Sequence, residues 1–114
     1  MTIRDAVMTR VARLSPGACE VLTLAAVAPS QIEQWVIETV LGASSAPALE
    51  ECLAAGMLSQ DRNALTLRFR HELARQAVEG AISPARVRTL HADVLRALLA
   101  HEGAQIEVTR LVHH

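Results

Sequence analysis

The residues best suited to chemistry crowd one short stretch, Leu65-Thr-Leu-Arg-Phe-Arg-His-Glu-Leu73. It alternates at first. Leu65, Leu67 and Phe69 fall on one face and Thr66, Arg68 and Arg70 on the other, the period of a half-buried strand. The period then lengthens. Leu73, Ala74, Ala77, Val78 and Ala81 lie three or four apart, which predicts one face of a helix over about 70–81. His71 stands where strand gives way to helix. The first-turn N–H groups of a helix are unpaired and its dipole is positive there, so a histidine at that mouth is placed to meet an anion. A surface or capping role is the other reading of the same position. Arg68, Arg70, Glu72 and Arg75 surround it in sequence and form the candidate partner-binding set.

Other reactive residues do not assemble into a motif. His71-Glu72 opens an H-E-x-x-H pattern, but position 75 is Arg75. His101, His113 and His114 have no ligand spacing with it, so no metal site is expected. Ser15, Ser30 and Ser83 precede helices and read as caps, with no G-x-S-x-G around them. His91 sits on an apolar stripe and is expected to be a partly buried, satisfied histidine. Arg86 and Arg88 near a helix start oppose its dipole and read as solvated or, with Arg75, as partner-facing. Cys19 and Cys52 lie in apolar segments and read as small buried hydrophobes. With no nucleophile–base pair, the chain is expected not to be an enzyme.

These residues must be positioned by a mostly helical chain. The 114 residues are 51% hydrophobic but 2% aromatic, Trp35 and Phe69 alone, so the core is aliphatic and rich in helix-favouring Ala and Leu. There is no lysine, and 11 arginines against 12 acids give a formal charge of −1. Such a balance gives generic nucleic-acid binding no support. No apolar run reaches a membrane span and Arg4, Asp5 and Arg10 interrupt any signal-peptide layout, so a cytoplasmic protein is expected.

In order, an amphipathic helix covers 3–14 with Val7, Val11 and Leu14 inward. Ser15-Pro16 caps a nearly all-apolar helix over about 17–28, the expected central post, which Pro29 breaks. Ser30 and Glu33 predict a capping box for a helix over about 31–41, with Trp35 at the core or its edge, closed by Gly42. Ser44 to Pro47 starts a helix over about 47–55 that Gly56 stops. Residues 57–60 and 65–69 form a hairpin around Asp61-Arg62-Asn63. Ser83-Pro84 starts a helix over about 84–101 whose stripe is Val87, Leu90, His91, Val94, Leu95 and Leu98. Glu102-Gly103 is expected to end it, and Ile106–His114 reads as the start of one more helix. His113 and His114 are either native or a tag remnant.

Three helices, a hairpin and further helices make a mainly α, winged-helix-like order. Residues 1–14 are a leading helix, 15–82 a three-helix core with a two-stranded wing at 57–69, and 83–114 the C-terminal helices. Many winged helices bind DNA, but Ser15 to Gln60 holds Glu20, Glu33, Glu38, Glu50 and Glu51 and no positive charge. The groove-entering helix would carry Glu50 and Glu51 against phosphates. A free-standing DNA-binding domain is therefore the weaker alternative, with Arg62, Arg68 and Arg70 on the wing its only support.

Ala12-Arg-Leu-Ser-Pro16, Leu53-Ala-Ala-Gly-Met-Leu58, Leu67-Arg-Phe-Arg-His-Glu-Leu73 and Leu90-His91, taken in order, resemble a segment of the large ATP-binding transcriptional regulators of the LuxR type. There the segment is a winged-helix module between an AAA-type ATPase core and an array of helical repeats. The resemblance implies that Phe69-Arg-His-Glu-Leu73 is similar to the Met-His-Asp motif of such signal-transducing ATPases, whose histidine approaches the phosphates of ADP and holds the inactive state. Glu72 stands at the aspartate's place. The implied cofactors, ATP or ADP with Mg²⁺, belong to the whole regulator, since this chain has no G-x-x-x-x-G-K-[ST] loop. The implied partners are the ATPase core and the helical repeats within one longer protein. Apolar surface left by them would favour a homo-oligomer.

Overall fold

A computed structural model describes residues 2–28, 30–42 and 45–113, with side chains through residue 103. The expected break at Pro29, the helix start at Ser44 and the identity of His114 lie outside them. Among the described residues six helices and a small antiparallel sheet follow one another as α1 (Ile3–Val11), α2 (Pro16–Val27), β1 (Ile32–Glu33), α3 (Gln34–Leu41), α4 (Ser45–Ala54), β2 (Leu58–Asp61), β3 (Thr66–Phe69), α5 (Glu72–Gly80) and α6 (Pro84–His113). Among the described residues no helix is long and apolar enough to cross a membrane.

The core is aliphatic and gathers around α2. Ser15 caps α2 by accepting from the Ala18 N–H at 3.2 Å, and Pro16 takes the first position. Val21, Leu22 and Leu24 on different sides of α2 are fully buried. Apart from its exposed first turn and Glu20, α2 is apolar on every side, so α3, α4, α5 and β3 pack around it. Ile37, Cys52, Leu58, Leu67 and Leu90 complete the interior. Burying each of these larger aliphatic side chains stabilises the fold by about 1.5–3 kcal/mol. Gly42 and Gly56 follow α3 and α4 with φ of 89° and 74°, conformations that a side chain would strain.

The structure corrects several boundaries. The capping box expected from Ser30 and Glu33 does not form. Ile32 and Glu33 are a strand, paired with Leu67 and Thr66 of β3, so the hairpin is part of a three-stranded sheet in the order β1-β3-β2. Without β1 one edge of β3 would lack partners, and Ile32 gains burial by supplying them. Glu33 becomes the N-cap of α3 with no side-chain cap bond; its carboxylate accepts from the Trp35 indole instead.

Leu65 does not join the inward row of β3. It closes the turn at φ 52° and is exposed, while Thr66 is buried in its place. Asp61 Oδ1 holds the turn by accepting from the N–H groups of Asn63 and Ala64 at 3.0 and 3.3 Å, and the left-handed residue falls four positions later. Leu73 and Ala81 are exposed too; the inner face of α5 is Ala74, Ala77 and Val78. The stop expected at Gly103 is absent, because α6 continues to His113. A lone glycine in a helix costs only about 1 kcal/mol against alanine. The separate helix expected from Ile106 is thus the far end of α6. At the other terminus α1 ends at Val11, and Thr2 and Asp5 form a capping box at its start.

Candidate functional site

The junction around His71 is built from the backbone outward. The Arg70 N–H donates to the Met57 carbonyl at 3.1 Å, which carries the β2–β3 ladder one residue past β3. His71 then takes an extended conformation, φ −133° and ψ 126°, as N-cap of α5. Its carbonyl accepts from the N–H groups of Ala74 and Arg75 at 3.0 and 3.2 Å. The imidazole makes no cap bond and is exposed. The main chain therefore starts the helix, and the side chain is left over for something else.

Two shallow recesses meet at this point. One is lined by Arg10, Arg70 and His71 together with Ile3, Val7 and Met57. The other is lined by Ser30, Ser59, Arg68, Phe69 and Arg70. Arg70 and Glu72 border both. Arg68 sits across from Ser59 in the ladder and faces solvent. The Arg10 guanidinium also donates to the Ala55 carbonyl at the end of α4, at 2.8 Å. Sequence reading missed Arg10, which reaches the site only through the packing of α1 against α5.

Arg75 is placed differently from its neighbours. Its Nη1 donates to the Ala26 carbonyl of α2 at 2.9 Å and to Glu79, while Nε donates to both Glu72 oxygens at 2.8 and 3.0 Å. A cation on a last-turn carbonyl of α2 is favoured by the dipole of that helix. Arg75 thus ties α5 to the central post and borders neither recess. The same hydrogen bonds hold the Glu72 carboxyl below the usual carboxylate range. The chemistry at the junction is donation. Imidazole and guanidinium N–H groups face outward, and the nearest carboxylate is engaged by Arg75.

The remaining candidates are scattered. His91 is exposed, contrary to the expectation that it is partly buried, because among the described side chains of α6 only Leu90 and Ala97 turn fully inward. Trp35 is half-buried at the core's edge and stacks on His101, ring centroids 4.2 Å apart at 27°. Cys52 is fully buried; its thiol lies 3.4 Å from the Ala18 carbonyl, and burial pushes its pKa up to about 12. Cys19 is half-buried, and both cysteines are free. Arg86 and Arg88 are exposed. Among the described residues no three His, Cys, Asp or Glu side chains converge as a metal-holding group. On α4, Glu51 accepts from the Ser15 N–H at 2.7 Å, which lowers its pKa. Comparisons with family models, with curated proteins and with solved structures return no match to this chain.

Proposed function

We propose that this chain is a non-catalytic, winged-helix regulatory module of a larger ATP-binding regulator of the LuxR type. It docks on the nucleotide-binding core through β2, β3 and the start of α5, and couples nucleotide state to helical repeats beyond α6. The observation that carries this reading is the exposed His71 imidazole, left without a cap partner where β3 becomes α5 and flanked by Arg70 and Arg10. A diphosphate brought there by the core would meet an imidazole N–H, guanidinium groups and a helix N-terminus together. The helix–strand–helix–helix–hairpin order and the β1-β3-β2 sheet support the winged-helix part. Arg68 and Arg70 line the docking face. Glu72 borders the same face, and Arg75 acts from behind it, by fixing α5 to α2.

A charge-assisted hydrogen bond from His71 is worth about 1.5–3 kcal/mol. Made in only one nucleotide state, it shifts the equilibrium toward that state by about ten- to a hundredfold. The test is ADP retention by the complete regulator carrying His71→Ala. Release should quicken by roughly that factor and the active form should rise. Unchanged retention rejects the reading.

Direct DNA binding is the second reading, favoured by the exposed Arg62 and Arg68 on the hairpin. Glu50 on α4 is exposed and Glu51 is fixed by Ser15, so the helix that would enter a groove presents negative charge.

A further inference from the structure

Beside its buried face, α6 carries a second stripe that the docking role of His71 does not use. His91, Leu95, Leu98 and Glu102 lie four, three and four residues apart, and all are exposed. Leu95 is 56% and Leu98 37% accessible, while Leu90 and Ala97 on the adjoining face are buried. At 100° per residue the four positions fall within one narrow sector of the helix. The stripe borders a mainly apolar groove of about 540 Å³, whose far wall is Val27, Ala28, Ile32 and Val36 with the polar Gln31 and Glu33 among them. The stack of His101 on Trp35 and the burial of Leu90 hold α6 on the body of the protein, so the stripe is presented in a fixed position.

The spacing of the stripe reads the same in both directions. About a midpoint between Arg96 and Ala97, Leu95 mirrors Leu98 and His91 mirrors Glu102. We propose that its occupant is a second copy of this chain, with the two α6 helices antiparallel across a two-fold axis at that midpoint. Leu95 of each copy then meets Leu98 of the other, and the imidazole N–H of His91 meets the carboxylate of Glu102. The four-three-four spacing is that of a helix seam. A two-fold interface requires a surface complementary to itself, which this stripe is in spacing and in donor–acceptor character. A partner helix apolar throughout would leave both polar ends unmatched, whereas a second copy matches both.

The test is sedimentation equilibrium of the full chain at neutral pH over a wide concentration range. The mass should rise toward twice the 12.3 kDa of one chain, and Leu95→Asp should return it to one chain. His91→Glu places two acids at each end and should weaken association by about tenfold, the sum of two like-charge pairs. Adding Glu102→Lys to it should restore most of that loss. A single-chain mass at every concentration overturns the proposal and leaves the stripe to another segment or protein. So does a dimer that survives Leu95→Asp, or one that His91→Glu weakens and Glu102→Lys fails to rescue. The charge-swapped pair decides the matter even where Leu95→Asp perturbs folding. None of these outcomes bears on His71.

Discussion

At the scale of single residues, the strand-to-helix junction divides labour between groups that are adjacent in sequence. His71 faces outward with no cap bond, while Arg75, one turn on, is turned inward to Ala26. The position of His71 was legible because two periodicities meet there. The partner of Arg75 was not, because Ala26 lies 49 residues away and only packing brings it close. Arg75→Ala should cost about 1–2 kcal/mol in urea unfolding, the loss of a charged donor on a carbonyl that packing keeps from water. Arg75→Lys should recover part of this, since an ammonium cannot span the Glu72 fork and Ala26 together. Acid should matter as well. The carboxyls of Glu51 and Glu72 titrate lower in the folded chain than in the unfolded one. Their contribution is therefore complete above the unfolded carboxylate range, about pH 4.3 for Glu, and is lost as pH falls through the lower folded values. Denaturation curves taken downward from pH 5 should fall more gently in Glu51→Gln than in the parent.

At the scale of elements, long segments were legible and short ones were not. The apolar α2, its Ser15-Pro16 start and the stops at Gly42 and Gly56 follow from local chemistry. A two-residue strand has no periodicity, so β1 was hidden inside what looked like a helix cap. Its formation depends on β3 having a free edge, which is a tertiary fact. The same holds for Leu65, where the register of β3 against β1 and β2, and not the alternation of the sequence, decides which side chains turn inward. Leu67 lies in the middle strand and is fully buried. Leu67→Ala should destabilise the fold by about 2–5 kcal/mol, with cavity and transfer contributions together. Gly56→Ala should cost about 1–2 kcal/mol for a different reason, since φ is 74° and the space around a new Cβ is open. Both are measured by chemical denaturation, with Trp35 as the one indole reporting on the α3–α6 contact.

At the scale of the whole molecule, charge is segregated along the chain. The segment from Ser15 to Gln60 carries five glutamates and no arginine, while Arg62, Arg68 and Arg70 mark the hairpin and its exit. Glu50 on α4 is exposed, and a mobility-shift assay at low salt should show no retarded band; a salt-sensitive band would favour the DNA-binding reading. The most direct measurement of the proposed function is hydrogen exchange of the larger regulator it invokes, compared between ADP-bound and nucleotide-free states. Docking through the hairpin and the start of α5 predicts ADP-dependent protection concentrated at residues 66–75 and abolished there by His71→Ala. Protection that leaves 66–75 unchanged between the two states would contradict it.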